Sequence, residues 1–164
     1  MRRKSSRPAE SQEQAAREKC LRLLGLRARS AAELRDRLRT AGFGRKTIES
    51  VVTDLAAAGL VDDEEFARAW VASRLATGGV GRQKLRWELR RKGVAEEVVR
   101  RAVEGAISDE GEAEQALELA RRRLRGESAD PKSLARLRRL LLGRGFGFEA
   151  VDNVMRRIAS AGEH

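Results

Sequence analysis

A repeat of about 51 residues constrains this chain more than any other feature of its sequence. Three segments share one pattern, in which leucines stand eight and four residues before a glycine and an apolar residue follows the glycine. The segments are Leu34, Leu38, Gly42 and Phe43; Leu85, Leu89, Gly93 and Val94; and Leu137, Leu141, Gly145 and Phe146. The three glycines are 51 and then 52 residues apart, so the pattern predicts three tandem structural units.

Each unit carries the signature of two helices separated by its glycine. Leucines four residues apart lie on one helix face. A glycine ends a helix at low steric cost, and the apolar residue after it can fold back against the last turn. A second stripe with helical spacing then follows in each unit, formed by Ile48, Val51, Val52 and Leu55; by Val99, Ala102, Val103 and Ala106; and by Val151, Val154, Met155 and Ile158.

A further helix opens each unit. Its apolar positions are Cys20, Leu23 and Leu24; Phe66, Ala69, Trp70 and Ser73; and Ala113, Ala116, Leu117, Ala120 and Leu124. Helix-start signals at Ser30, Asp62 and Asp130 agree with this division. We therefore predict an all-α fold of three tandem three-helix repeats that form an elongated, curved helical array. The predicted repeats are 14–60, 61–107 and 108–161, with a loop at 125–129 and a disordered basic tail at 1–13.

The chain is strongly basic, with a formal net charge of +10. The excess lies mainly in residues 1–61, which carry +7, against +2 in 62–107 and +1 in 108–164. Such an excess predicts attraction to a polyanion, although an arginine-rich surface without a specific partner is the other interpretation. No stretch approaches the roughly 20 apolar residues that span a membrane. Because Cys20 is the only cysteine, a reducing compartment fits, and we expect a cytoplasmic protein.

The residues that carry chemistry are few. His164 is the only histidine, so the sequence contains no histidine-based catalytic or metal site. Cys20 lies in an apolar helical stripe, which favours a core position over a nucleophile. The acidic cluster at 62–65 precedes a helix, where capping is the better interpretation than cation binding. The glycine-rich stretches follow helices rather than strands, which argues against a nucleotide loop. We predict no enzyme activity, no cofactor and no metal.

A basic helix is the best candidate for a functional site. The predicted binding residues are Arg82, Lys84, Arg86, Arg90, Arg91 and Lys92, with a weaker copy formed by Arg35 and Arg39 in the first repeat. With Leu85 and Leu89 turned inward, several of these charges must share the outward surface. They could neutralise phosphates, although a merely solvated helix face remains the alternative. Trp70 falls on an apolar stripe and is predicted to be core, whereas Trp87 could belong to an interface or to the core.

Several of these motifs resemble the RecX family of regulatory proteins. The resemblance rests on 20–24 (CLRLL) and 29–34 (RSAAEL), on 59–67 (GLVDDEEFA), and on the run from Gly81 through Leu89 to Val94. It is specific over 15–107 and looser to about 160, and Cys20 stands where the family often has an aromatic residue. The resemblance implies a non-enzymatic modulator that binds the RecA–single-stranded DNA filament and restrains its ATP hydrolysis and strand exchange. It implies contact with single-stranded DNA as well, either directly or through the filament. It also implies a role in recombination and DNA repair. We expect a monomer with no membrane partner.

Two other functions fit the residues. The helix pairs around Gly42 and Gly93 are similar to a helix-turn-helix, which would make the chain a protein that acts directly on DNA. Three tandem copies, and few base-reading Asn or Gln residues on the second helices, argue against that function. A helical scaffold for an unrelated acidic protein is the other alternative. The identity of RecA as the partner comes from the family resemblance alone.

Overall fold

The computed structural model describes residues 8–125 and 130–161 of the chain, and within them every regular element is an α-helix. The nine helices are α1 (Ala9–Leu26), α2 (Ala31–Thr40), α3 (Arg45–Ala57), α4 (Asp63–Thr77), α5 (Arg82–Arg91), α6 (Glu96–Ala106), α7 (Asp109–Arg123), α8 (Pro131–Gly143) and α9 (Phe148–Ala161). The all-α prediction and the grouping into three-helix repeats are confirmed. No helix in the described ranges is long and apolar enough to cross a membrane.

The glycine between the second and third helix of each repeat ends a helix as predicted. Gly93 and Gly145 adopt φ angles of 74° and 83°, in the left-handed region that glycine enters freely. At the end of α8, Phe146 N donates to Leu141 O at 3.2 Å, and Gly145 N donates to Leu142 O at 3.0 Å. This is the Schellman arrangement, in which the apolar residue folds back against the last turn.

The described residues divide into two compact units. Unit 1 comprises 8–66 together with 92–94. Its core consists of Ala16, Cys20, Leu34, Leu38, Ile48, Val51, Val52, Leu55 and Val61. Cys20 is fully buried, which confirms its predicted core position, and burial raises the pKa of its thiol. The predicted stripe of α3 is therefore the surface that packs against α1 and α2.

Unit 2 comprises 67–91, 95–125 and 130–161. The apolar cluster of its last three helices consists of Ala116, Leu117, Ala120, Leu137, Leu141, Phe146, Val151 and Val154. Leu85 and Leu89 of α5 are likewise fully buried, with Val99 and Val103 of α6. The stripes predicted for α5, α6 and α9 thus form buried surfaces of this unit, with Met155 and Ile158 partly buried. The prediction is wrong for Ala106, which is exposed at the last position of α6.

In unit 1, the N-terminus of α2 is fixed by side chains. Ser30 Oγ accepts from Glu33 N at 3.2 Å, and the Glu33 carboxylate accepts from Ser30 N at 3.1 Å, which confirms the predicted capping box. Asp63 Oδ1 accepts from Ala31 N at 2.9 Å. Ser30 Oγ also donates to Lys92 O at 2.5 Å, and Lys92 Nζ lies 3.0 Å from Glu33 Oε1. The 92–94 segment is anchored to α2 by these contacts.

In unit 2, the N-terminus of α5 is fixed by backbone contact. Gly81 N donates to Arg144 O at 2.9 Å. A Cβ placed on Gly81 would lie 2.2 Å from Phe146 N, so no other residue fits there without a shift of the backbone. Glu112 Oε1 accepts from Arg82 N at 2.8 Å, and Glu112 is almost fully buried. The start of α5 is therefore set by α7 and by the turn that follows α8.

The predicted disordered tail is wrong for its last five residues. The sequence predicts the tail at 1–13, whereas α1 begins at Ala9, directly after Pro8. Proline suits a helix start because it fixes φ and has no N–H to leave unpaired. Glu10 in the first turn adds a favourable interaction with the helix dipole. Residues 1–7 of that tail, and 126–129 of the predicted loop, lie outside the described residues.

The buried stripe predicted for α4 is wrong in part. Phe66 is buried as predicted, but Ala69 and Ser73 are exposed, and the buried positions beside it are Ala67 and Val71. Because alanines occur on several faces of this helix, apolar spacing alone allowed two overlapping stripes. Burial follows the larger Val71 rather than the small residues.

Candidate functional site

Helix α5 carries most of the residues predicted to bind a partner. Since successive residues are about 100° apart on a helix, the position opposite Leu85 and Leu89 is Trp87. Trp87 is 52% exposed, and Arg90 and Arg91 beside it are also exposed. Helical geometry therefore turns an aromatic residue and two guanidinium groups outward together.

We call the outward part of this helix the basic face of α5, and it comprises Lys84, Arg86, Trp87, Arg90 and Arg91. Lys84 and Arg86 lie at its edges and are half-buried, whereas the other three are exposed. The Arg91 guanidinium carbon lies 4.9 Å from the centre of the Trp87 ring, within the range of a cation–π contact. Lys84 and Arg91 form no ion pair with the residues that the structure describes.

Of the ion pairs on the basic face, one is exposed to solvent and the other has a long N–O distance. Arg90 Nη2 lies 2.6 Å from Glu96 Oε1, with the two side chains 50% and 63% exposed. This hydrogen bond lowers the pKa of the Glu96 carboxyl below its ordinary value. Arg86 Nη2 lies 3.8 Å from Glu104 Oε1. Exposed pairs contribute little to stability, so both arginines could exchange these partners for another anion at small cost.

The single acid of α5 is turned away from the basic face. Glu88 accepts from Trp70 Nε1 at 2.9 Å and from Arg74 Nη2 at 2.9 Å. Burial opposes ionisation of Glu88, but the hydrogen bonds from Arg74 and Trp70 outweigh it and hold its pKa below the ordinary value. Trp70 is accordingly half-buried between α4 and α5 rather than a fully apolar core residue. The acid thus stabilises helix packing and leaves the outward charge uncompensated by its own helix.

The structure places two of the predicted binding residues in internal contacts. Arg82 Nε donates to Glu112 Oε2 at 3.0 Å, and Arg82 also pairs with Asp109. Lys92 pairs with Glu33 in unit 1. Glu33 and Glu112 lie 59 and 30 residues from these cations along the chain, so a single sequence gave no signal for either pair. Within the run from 82 to 92, Arg82 therefore fixes the start of α5, Lys92 pairs inside unit 1, and residues between them face outward.

The two predicted residues of α2 lie in unit 1. Arg35 Nε is 3.2 Å from Glu49 Oε1, and Arg39 Nη2 is 3.0 Å from Asp36 Oδ1. Both pairs are largely exposed. With Arg45 they line a shallow depression of about 270 Å³ in this unit. Arg35 and Arg39 thus offer a second, weaker cluster of positive charge.

The sequence allows Trp87 either an interface or a core position, and in the structure its side chain is exposed. The sequence contains a signal for this exposure, because Trp87 lies 200° around the helix from the buried Leu85 and so faces solvent.

The acidic cluster at 62–65 caps a helix as predicted, because Asp62 Oδ1 accepts from Glu64 N at 2.9 Å and from Glu65 N at 3.2 Å. Among the described residues, no group of three or more His, Cys, Asp or Glu side chains could hold a metal ion.

Family comparisons identify the relatives of this chain. Models of the first, second and third three-helix domains of RecX match residues 16–55, 62–103 and 110–155. The chain belongs to the RecX family. Each matched range falls inside one repeat, although the repeat boundaries drawn from the sequence remain a prediction.

RecX relatives match most of the chain. A regulatory protein RecX of Amycolatopsis mediterranei is 46% identical over 134 residues, which span 82% of this chain and 75% of the relative. That of Mycolicibacterium smegmatis is 38% identical over 135 residues, or 81% of this chain and 71% of the relative. The RecX crystal structure from Lactobacillus salivarius has a TM-score of 0.84 at 18% identity, covering 92% of this chain and 99% of that one. At this identity the structural likeness establishes a RecX fold.

Proposed function

We propose that this chain binds the RecA–single-stranded DNA filament and inhibits its ATPase and strand-exchange activity, and so controls recombination and DNA repair. Membership of a family whose relatives are named regulatory proteins supports a regulatory role. The choice of RecA as partner follows from the family resemblance. We infer a non-enzymatic action, without a cofactor, by a cytoplasmic monomer.

The observation that carries this proposal is the arrangement of α5. Its leucines and its only acid are turned inward, while Trp87, Arg90 and Arg91 are turned outward. Both a nucleoprotein filament and its DNA present negative charge, which a convergent set of cations attracts before contact. A net charge of +10 on the chain favours the same encounter. We assign the partner contact to the basic face of α5, helped by Arg35 and Arg39.

Arg82 and Lys92 have a supporting role in this proposal. Each already pairs with a carboxylate that is largely shielded from solvent. Releasing such a cation to a partner would leave Glu112 or Glu33 uncompensated, which costs more than losing an exposed pair. Arg82 and Lys92 therefore keep their internal partners, and the residues between them meet the partner.

The experiment is a titration of this protein into the single-stranded-DNA-dependent ATPase reaction of the cognate RecA. We expect the hydrolysis rate to fall at ratios well below one copy per RecA, because a filament can be restrained at few positions. A control without this protein, at saturating single-stranded DNA, fixes the uninhibited rate. An unchanged rate at every ratio, with the DNA still accessible to RecA, would overturn the proposal.

A further inference from the structure

Arg29, in the connection between α1 and α2 of unit 1, is a buried cation whose charge is not paired. The residue is only 9% exposed. Its Nε donates to Leu23 O at 3.4 Å, which is longer than an ordinary N–H···O hydrogen bond. Its terminal nitrogens Nη1 and Nη2 form no hydrogen bond or ion pair with the residues that the structure describes. Because buried arginines are normally paired with an anion, these unused donors indicate a missing acceptor.

The charges nearest to Arg29 increase this imbalance. Burial lowers the pKa of the Arg29 guanidinium, and the positive charge of Arg27 lowers it further. Glu33 opposes this decrease, but Arg37 adds to it. The Glu33 carboxylate is already shared, since it accepts from Arg27 Nη2 at 3.0 Å and from Lys92 Nζ at 3.0 Å. Glu33 therefore cannot neutralise Arg29 as well.

The positive charge at this place exceeds what its carboxylates can balance. The unit 1 cation cluster comprises Arg27, Arg29, Arg37 and Lys92. Besides Glu33, the carboxylate beside the cluster is that of Asp63, which accepts from Ala31 N at 2.9 Å. An excess of two positive charges remains when both carboxylates are counted. A dianionic phosphate group matches this excess, and its oxygens match the two-pronged geometry of a guanidinium.

The opening to Arg29 favours the end of a small anion. In the part of the chain that the structure describes, the wholly enclosed polar side-chain atoms without a partner belong to Gln115 and Asn153. The terminal nitrogens of Arg29 therefore keep contact with solvent, and the low exposure of the residue makes that contact narrow. A terminal phosphate group can enter such an opening. A phosphodiester carries a substituent on each side and only one negative charge, so it fits less well.

We propose that Arg29 forms the base of a phosphate site in unit 1, which takes inorganic phosphate or the terminal phosphate group of a small phosphomonoester. Arg29 supplies paired N–H donors to the phosphate oxygens, and the positive charges of Arg27 and Arg37 add attraction at longer range. The site uses no residue of the basic face of α5. It is therefore independent of the proposed action on RecA, and either can fail without the other.

A proton–nitrogen NMR titration of the full chain with inorganic phosphate, at constant ionic strength in chloride, tests the site. We expect the Nε–H signal of Arg29 to shift and saturate, with a dissociation constant on the order of 1 mM. Arg29→Lys keeps the charge but loses the paired donors, and it should bind about tenfold more weakly. The matched control is Arg22→Gln, an exposed arginine of α1 that is not among the charges acting on Arg29, and it should bind as the wild type does.

Two further ligands distinguish the sources of the phosphate group. Glycerol phosphate that binds at least as tightly as inorganic phosphate would assign the site to phosphomonoesters, whereas weaker binding would assign it to free phosphate. Dimethyl phosphate is a diester with one charge, and it should bind about tenfold more weakly than inorganic phosphate. Equal binding of dimethyl phosphate and inorganic phosphate would overturn a site for terminal phosphate groups.

Thermal unfolding separates a ligand site from a cap on the C-terminus of α1. For a site, Arg29→Gln should unfold in chloride at a temperature no lower than the wild type, because it removes an unpaired buried charge. Phosphate should then raise the unfolding temperature of the wild type and not that of the variant. A cap predicts that Arg29→Gln unfolds at a lower temperature and that phosphate changes neither protein. That result would overturn the site, as would NMR shifts spread over many basic residues without saturation, which indicate an adventitious ion only.

Discussion

The N-termini of α2 in unit 1 and of α5 in unit 2 meet the same structural demand with different chemistry. Each contacts the glycine turn that ends the second helix of the following repeat, and each receives a carboxylate from the helix that opens that repeat. In unit 1 these roles fall to the Ser30 hydroxyl and to Asp63. In unit 2 the backbone N–H of Gly81 and the side chain of Glu112 take them.

The difference shows why a repeat can be conserved in geometry and still vary in residues. In unit 1 the Ser30 hydroxyl donates to Lys92 O, and a Cβ on Gly93 of the same turn would lie 2.3 Å from the Ala32 Cβ. In unit 2 Gly81 instead brings two backbones into direct contact.

The first solution depends on side-chain hydrogen bonds, and those of the Glu33 carboxylate beside Ser30 change with protonation. The second also uses a carboxylate, that of Glu112, but its backbone contact requires the absence of a Cβ at Gly81 and so depends on sterics. Substitutions at Ser30 or Glu33 should therefore destabilise the protein through lost hydrogen bonds, and a substitution at Gly81 through a steric clash.

Gly81→Ala should have the largest effect on stability. Its Cβ would lie 2.2 Å from Phe146 N and 2.3 Å from Gly145 O, and neither backbone atom can move aside cheaply. We expect the free energy of unfolding to fall by about 3 kcal/mol, measured by urea denaturation. The control Gly105→Ala lies in α6 of the same unit with nothing within 4 Å of the new methyl group, and it should be neutral or stabilising by up to about 1 kcal/mol. Equal effects of the two substitutions would contradict the steric account.

Glu33→Gln tests the dependence of the α2 contact on charge. Burial raises the pKa of Glu33, but hydrogen bonds from Arg27, Lys92 and the Ser30 backbone outweigh it and lower the pKa to about 2, from 4.5. We expect the variant to lose about 2 kcal/mol of unfolding free energy at pH 7, less than the full shift implies because the site is partly screened by solvent.

The sign of the pH dependence follows from the lowered pKa of Glu33. A depressed carboxyl pKa contributes stability above the unfolded value, and that stability is lost as pH falls from about 4.5 towards about 2. The difference between wild type and Glu33→Gln should therefore be constant down to about pH 4.5 and shrink below it, in urea denaturation between pH 7 and 3. Glu49→Gln, whose partner Arg35 is exposed, should show almost no difference at any pH. A gap that stays constant to pH 3 would argue against a charge-dependent contact.

Ser30→Ala should have a smaller effect than either. It removes an N-cap and the hydroxyl that donates to Lys92 O, and we expect a loss of about 1.5 kcal/mol by urea denaturation. Ser108 caps α7 through a single bond to Gly111 N, and Ser108→Ala should cost only about 0.5 kcal/mol. If the two substitutions cost the same, the contact with the 92–94 segment contributes nothing beyond capping.

Features set by neighbouring residues could be predicted from the sequence, whereas contacts between distant residues could not. Local sequence rules predict the second and third helix of each repeat, their buried apolar residues and the glycine between them. Leu85 and Leu89, for example, are buried as predicted. The internal ion pairs of Arg82 and Lys92 could not be predicted, because their partners lie 30 and 59 residues away along the chain. The stripe of α4 was ambiguous because small residues occur on several of its faces. The division of the basic run into internally paired ends and an outward middle therefore required the structure.

The central claim is that the outward residues of α5 carry the regulatory function. It is tested most directly by the concentration of protein that half-inhibits the RecA ATPase, measured for Arg90→Gln with Arg91→Gln. The control is Arg123→Gln with Arg139→Gln, which removes the same charge from exposed positions of α7 and α8. We predict that the α5 variant requires about tenfold more protein while the control stays within about twofold of the wild type. Equal inhibition by both variants, with helix content intact, would contradict the claim.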